Sequence, residues 1–315
     1  MSQPMTVPAV RARKASSGTG GEGAGGERVG AEPLVMVTAY DTPTARIADR
    51  AGVDLILVGD SVAMVVLGHD DTLQVTIEDM VHHTGAVARA RTRAMVIADL
   101  PWLSYHVSAH ETVHNAGRLL RAGARAVKLE GGRKRVPMVS ALVNAEIPVM
   151  GHVGLTPQSV NVTGGYRVQA RDPEAAQAVV DDAVALAAAG CFAIVIESVP
   201  DSVARAVTEA VTVPTIGIGA GPACDGQVLV LHDLLGLDGG AAPSFVRRYA
   251  QLEADAVAAV TAYAADVRGR RFPSEAETHH LPEDASGRPA PPSGASGGAT
   301  RISSPRTDIG DRRAG

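Results

Sequence analysis

One local design recurs along this chain: a short, uninterrupted aliphatic run that stops abruptly at a polar residue. In DLILVGDSVAMVVLG (residues 54–68) the run 55–58 ends at Gly59-Asp60-Ser61. AMVIADLP ends its run at Asp99, AVKLEGG at Glu130, PVMGHVG at His152 and FAIVIESV at Glu197. Runs that are continuous, not alternating, predict strands buried on both faces, and such strands are parallel and covered by helices. Polar groups at successive strand ends then gather at one end of the sheet, where a parallel barrel keeps its active site. This feature predicts an α/β enzyme.

Eight strand candidates follow, at 34–40, 54–59, 94–99, 126–130, 148–153, 192–197, 213–218 and 227–232. Helical patterns fill most of the gaps. Asp41 and Pro43 open one over 44–51, Thr76 to Asp79 one running to about 91, and Ser108 one to 121. Further helices are expected at 137–145, 173–189 after Asp172, 201–210, and 243–267 to close the domain. Together these give a (β/α)8 TIM barrel over residues 33–273, close to the ~250 residues such a barrel needs. One interval resists: 219–226 is too short for a helical crossover, which takes a dozen residues or more. Either the last repeat is degenerate or the eighth strand lies elsewhere.

Residues 1–32, with KASSGTGGEGAGGERVG, and residues 274–315 are rich in Gly, Ser and Pro and poor in large apolar groups. They cannot bury enough surface to offset their ordering entropy, so both read as disordered tails. The 315 residues are 45% hydrophobic but only 3% aromatic, so the core is aliphatic. A net charge of −5 without a basic run in the centre argues against nucleic acid as a partner. No apolar h-region marks a signal peptide, and no run approaches the ~20 residues of a membrane span. Cys191 and Cys224 match neither a zinc spacing nor a disulfide framework, which points to a reducing, cytoplasmic setting.

Asp60, Asp99 and Glu130 close the second, third and fourth strands. Carboxylates held together raise one another's proton affinity unless a cation neutralises them, and a hard divalent ion such as Mg2+ suits an all-oxygen set. Each acid could instead cap the next helix or pair with a basic residue. Lys128 lies two residues before Glu130 and so shares its face of the strand, as an ion-pair partner or a catalytic cation. His152 ends the fifth strand, either as a satisfied core histidine or as part of the site. Glu197 stands across the ring from the three acids and can serve as a base, or merely cap the helix near Asp201.

Two motifs compete for attention. His110-Glu111-Thr112-Val113-His114 matches the H-E-x-x-H zinc pattern, with His106 one further turn back. It falls on an outer crossover helix, and a solvated helix face is the better reading. Gly217-Ile-Gly-Ala-Gly221 fails as a dinucleotide loop because Pro222 takes its last position; its glycines let backbone approach a ligand closely.

The runs VTAYD (37–41), LVGDSVAMVVLGHDDTLQVT (57–76), ADLPW (98–102), VKLEGG (127–132), GHVGLTPQSVNVTGGYRVQ (151–169), IESVP (196–200), GIGAG and DGQVLVLHD (217–233) resemble the ketopantoate hydroxymethyltransferase family. Small departures at Gln74, Ala170 and Ser198 remove no acid. The resemblance implies transfer of a one-carbon unit from 5,10-methylenetetrahydrofolate to 3-methyl-2-oxobutanoate, giving 2-dehydropantoate for pantothenate synthesis, through an enolate stabilised by Mg2+. It implies that Asp60, Asp99 and Glu130 surround the metal. Asp60, Ser61, Asp99 and Lys128 then contact the keto acid, His152 offsets substrate charge, and Glu197 is the base. The loop 156–169 is expected to close over the site. A cytoplasmic homo-oligomer, a decamer by family resemblance, is the expected assembly. The alternative is another Mg2+-dependent carbon–carbon lyase or mutase on a similar barrel.

Overall fold

The structure, a computed structural model, describes residues 3–14, 32–237, 240 and 242–280. Eight strands follow in chain order: β1 (Leu34–Thr38), β2 (Leu55–Val58), β3 (Met95–Asp99), β4 (Ala126–Lys128), β5 (Val149–Gly154), β6 (Ala193–Glu197), β7 (Thr215–Ile218) and β8 (Gly226–Leu229). Each pairs in parallel with the next, and β8 pairs in parallel with β1 to close the barrel. The expected (β/α)8 architecture is thus present, with a strand at every expected position.

Side chains alternate across each strand and so sort into two cores. Leu34, Met36, Leu55, Leu57, Met95, Ile97, Met150, Val195 and Ile216 pack inside the barrel. Val37, Ile56, Val58, Val96, Val127, Val149, Ile194 and Ile196 pack outward under the helices. The helices start where cap residues stand. Asp41 and Thr44 form a capping box on Thr42–Arg50, and Thr76 and Asp79 form one on Ile77–Ala88. Ser108 caps Ala109–Ala122, and Asp172 caps Pro173–Ala188. Each such cap stabilises its helix by about 1 kcal/mol.

The resistant interval resolves in favour of a degenerate repeat. β8 lies where it was expected, and residues 219–225 join it to β7 without a helix. A cleft of about 620 Å³ lies beside this connection, lined by Pro33, Gly219, Pro222, Cys224, Gln227 and Phe245. The Gly-rich stretch meets the chain's own side chains: a Cβ at Gly219 would lie 2.7 Å from the Phe245 ring, and one at Gly221 2.6 Å from Asp201 Cβ.

The N-terminal expectation is corrected. Residues 3–14 are no solvated tail. Thr6 caps a short helix, Val7–Arg11, and Val10 is fully buried among the residues that fill the barrel interior. Met5 N–H donates to the Arg93 carbonyl (2.9 Å), just ahead of β3. Lys14 Nζ reaches Asp225 Oδ2 (3.0 Å) and the Thr208 carbonyl (2.6 Å), close to the start of β8. The segment therefore plugs the N-terminal end of the barrel, and burying Val10 there contributes about 1.5–3 kcal/mol. Residues 15–31 lie outside the described residues.

The closing helix is also shorter than expected. It spans Leu252–Arg268, not 243–267, and buries none of its residues. Chain contacts divide the protein into two compact units, Met1–Asp255 and Ala256–Gly315. Within the second, Tyr263 and Phe272 meet edge to face at 5.2 Å, and Arg271 Nε donates to Asp266 Oδ1 (2.9 Å). Ser274 caps a single turn, Glu275–Glu277, inside the segment read as the second tail; residues 281–315 lie outside the described residues.

Candidate active site

The C-terminal ends of β2 to β6 bring the expected polar residues together. Asp60, Asp99, Lys128, Glu130 and His152 are 5%, 2%, 4%, 4% and 2% exposed, so they face one another and not solvent. The Glu197 side chain, at 15%, is the most open of the group. The register explains the meeting, because Asp99 on β3 lies level with Lys128 on β4, and His152 on β5 is two residues out of step with Glu197 on β6, which keeps both on the inward face.

Five contacts organise the cluster. Lys128 Nζ donates to Asp99 Oδ1 at 2.5 Å, and the other Asp99 oxygen accepts the Asp60 backbone N–H at 3.1 Å. His152 lies between two carboxylates, with Nδ1 3.5 Å from Glu130 Oε1 and Nε2 3.3 Å from Glu197 Oε2. Neither imidazole contact has good hydrogen-bond geometry, so both are ion-pair contacts between buried groups. Tyr40, at the end of β1, shares a 2.9 Å hydrogen bond with Ser61 Oγ.

The electrostatics follow from crowding. Burial raises the Asp60 carboxyl well above its usual range, and the charges of Asp99 and Glu130 raise it further. Asp99 is raised by burial too, against the pull of Lys128. Burial works against charge on His152, yet Glu130 and Glu197 outweigh it and push the imidazole up to about 9. Glu130 is held low: burial opposes its charge, but His152 and Lys128 outweigh that. Lys128 stays an ammonium because Asp99, Glu130 and Asp60 overcome its desolvation.

Four carboxylates thus face one ammonium and one imidazole. Such a surplus of buried anionic oxygen suits a hard divalent cation. Among the described residues no three His, Cys, Asp or Glu side chains stand ready-made as a ligand set. The engagements above account for this, since Asp99 is drawn to Lys128 and Glu130 to His152. Mg2+ keeps several waters and leaves positions for substrate, so carboxylates already engaged by Lys128 and His152 can hold it directly or through those waters, and the donor set still fits it.

Sequence reasoning did not single out Gln158 and Tyr105. Gln158 enters from the loop after β5 and donates through Nε2 to Asp60 Oδ2 (2.8 Å) and the Leu100 carbonyl (3.0 Å). Its backbone N–H donates to Glu130 Oε2 (3.0 Å), and its Oε1 accepts from the Tyr105 hydroxyl (2.7 Å). Gly154 makes the turn into that loop possible: at φ 91° a Cβ would lie 2.3 Å from the Glu197 carbonyl oxygen. The loop's tip reaches across the mouth, where the Tyr166 hydroxyl lies 4.0 Å from Met64 Sδ.

The H-E-x-x-H stretch stays apart. His110 and His114 are exposed on helix Ala109–Ala122, and the Glu111 backbone N–H is taken up by the Ser108 cap. His106 precedes the cap and so does not continue the helical face; its ring lies 4.2 Å from that of Tyr105. Cys191 is buried beside Gly151, and burial pushes its thiol up to about 12.

A closed parallel barrel with a buried cluster of opposed charges at the C-terminal ends of its strands defines a (β/α)8 barrel enzyme. The ketopantoate hydroxymethyltransferase family model matches residues 27–275. Curated relatives named 3-methyl-2-oxobutanoate hydroxymethyltransferase include the Moorella thermoacetica protein, 57% identical over 245 residues, covering 78% of this chain and 91% of the relative. The Oleidesulfovibrio alaskensis protein is 54% identical over 252 residues, covering 80% and 87%. The chain belongs to the ketopantoate hydroxymethyltransferase family. Among solved structures, phosphonopyruvate hydrolase in complex with oxalate and Mg2+ superposes with a TM-score of 0.55 at 16% identity, covering 88% of this chain and 92% of that one. A likeness of that degree shows a shared fold. No helix among the described residues is long and apolar enough to cross a membrane.

Proposed function

We propose that this chain transfers a hydroxymethyl group from 5,10-methylenetetrahydrofolate to 3-methyl-2-oxobutanoate, giving 2-dehydropantoate for pantothenate synthesis. Family membership supports the acceptor and the reaction class. The observation that carries the chemistry is the contact of His152 with Glu197, which holds the most open carboxylate of the cluster at its rim.

Asp60, Asp99 and Glu130 would hold Mg2+, which would supply Lewis acidity toward the oxygens of a 2-keto acid. Lys128, fixed by Asp99, offsets negative charge on the acceptor and on the enolate it becomes. Ser61, oriented by Tyr40, offers a hydroxyl at the same strand end. Glu197 takes the C3 proton of the keto acid. His152 fixes one Glu197 oxygen and leaves the other for that proton. Water adds to the methylene carbon of the folate as both of its bonds to nitrogen break; the two protons of water pass to those nitrogens, so that tetrahydrofolate and a one-carbon aldehyde result. The C3 electron pair forms the new bond to that aldehyde carbon as its C=O π bond opens, and the oxygen takes the proton held by Glu197 to become the product hydroxyl.

A cytoplasmic homo-oligomer, up to the decamer of the family resemblance, belongs to the same proposal. Helix Leu252–Arg268 exposes Val257, Val260, Tyr263 and Val267, which supports burial against another copy. The direct test mixes protein, Mg2+, 3-methyl-2-oxobutanoate and methylenetetrahydrofolate and looks for 2-dehydropantoate. Formation of product is expected; its absence from folded, metal-supplied protein would remove the reading.

A further inference from the structure

Gln158 makes four hydrogen bonds inside the acidic cluster, although it belongs to the loop that follows β5. Asp60 Oδ2 and the Leu100 carbonyl are both acceptors, so the NH2 half of the amide must face them. That leaves the carbonyl half to accept, and the Tyr105 hydroxyl supplies the proton at 2.7 Å. The Tyr105 oxygen in turn accepts the Glu130 backbone N–H at 3.2 Å. Gln158's own backbone N–H takes Glu130 Oε2 at 3.0 Å. The residue is 5% exposed, so none of these bonds competes with bulk water. One loop residue therefore holds an oxygen of each of two acids that come from different strands, Asp60 after β2 and Glu130 after β4.

We propose that Gln158 is a positioning residue that fastens the loop 155–169 to the metal-binding carboxylates, so that ordering of the loop and binding of the cation favour each other. The proposal rests on the reading of Asp60 and Glu130 as Mg2+ ligands. Two fixed donors leave each carboxylate one oxygen that the amide does not hold, and they set which way that oxygen faces. A cation that binds those carboxylates strengthens the arrangement the loop needs, and a detached loop leaves two mutually repelling acids without their donors. No side chain of other shape fits the role, because only an amide of this length offers both a donor pair and an acceptor here. Glutamate would set a fourth carboxylate against Asp60, and leucine would take from Asp60 and the Leu100 carbonyl the donor they share and leave Tyr105 only its bonds to the Glu130 backbone.

The test uses Gln158→Leu in the full chain, with Mn2+ as the probe ion, followed by electron paramagnetic resonance. The Mn2+ dissociation constant should rise about 10- to 100-fold, the range typical when a partner of a metal ligand is lost. Trypsin supplies the second readout, since Arg167 is exposed in the loop. Mg2+ should slow cleavage after Arg167 in the wild type and fail to do so in the variant. Mn2+ affinity at the wild-type level, or a retained Mg2+ effect on cleavage, overturns the proposal. Wild-type protein that binds no Mn2+ overturns the metal reading itself, and that failure is told apart because it needs no variant. Should Gln158→Leu not fold, Tyr105→Phe keeps the question open to decision. It removes the hydroxyl that orients the amide and accepts the Glu130 backbone N–H, leaves both Gln158 donors in place, and should weaken Mn2+ binding in the same direction by a smaller factor, with unchanged affinity counting against the proposal.

Discussion

The two ends of the barrel are built from the same strands and hold opposite contents. At the N-terminal end the inward positions carry Leu34, Leu55, Met95 and Phe192, packed with Val10 into an apolar plug, and the buried Asp225 beside it is paired with Lys14. Two residues further along a strand, about 6.6 Å, the same inward column turns polar. Met95 and Ile97 lead to Asp99, Met150 leads to His152, and Ala193 and Val195 lead to Glu197. The lower end stabilises by removing apolar area from water. The upper end costs stability, because burial and like charges work against its acids, as the raised Asp60 shows. Stability and chemistry are thus separated along the barrel axis, and substitutions at the two ends should separate in the same way.

The largest effect is expected at the mouth. Asp99→Asn keeps an acceptor for Lys128 but removes the charge that fixes it, and should lower turnover about 10²- to 10³-fold, as for loss of one preorganised electrostatic partner. Steady-state kinetics beside thermal unfolding checks this. Turnover within tenfold of wild type would erase the division between the two ends.

The mouth should also make stability depend on pH. His152 titrates at about 9 in the folded protein against an ordinary 6.5. Its ion pairs therefore contribute fully below about pH 6.5 and are lost as pH rises through about 9, on the order of a few kcal/mol. Thermal midpoints of wild type and His152→Asn should converge as pH is raised from neutral to alkaline. A gap of constant size across that range would show that the imidazole is not held charged.

The smallest effect belongs to the bottom. Deleting residues 1–14 removes Val10 and the Lys14–Asp225 pair and should cost about 1.5–3 kcal/mol, with turnover of the remaining folded protein close to wild type. Denaturant unfolding and a kinetic assay on the same preparation measure both. Loss of turnover out of proportion to stability would mean that the lower end reaches the site.

How much of this was legible follows from the range of each signal. Strands were visible because each uninterrupted aliphatic run is local, and the acids that end β2, β3, β4 and β6 break the pattern at the same point. Asp99 and Glu197 could be placed together before any coordinates, since closing a parallel sheet leaves strand ends nowhere else to go. Gln158 and Tyr105 could not. Both lie in loops with no period, and what marks them is a bond between residues 53 positions apart. Val10 was lost for a related reason: a single apolar turn beside a Gly/Ser-rich stretch has no amphipathic pattern, and only the opening beneath the barrel gives it a place. The helix over 243–267 was overextended at its start, because residues 242–251 carry helix-compatible side chains but form turns and coil ahead of Leu252.

The claim that the mouth does the chemistry through Glu197 has one direct test. In deuterated water, without folate, the C3 proton of 3-methyl-2-oxobutanoate is followed by NMR in the presence of Mg2+ and either wild-type protein or Glu197→Gln. Wild type should exchange that proton, and the variant should bind the keto acid with similar affinity yet exchange it about 10²- to 10⁴-fold more slowly. Exchange by Glu197→Gln at the wild-type rate would contradict the assignment and move the base to another group, His152 first.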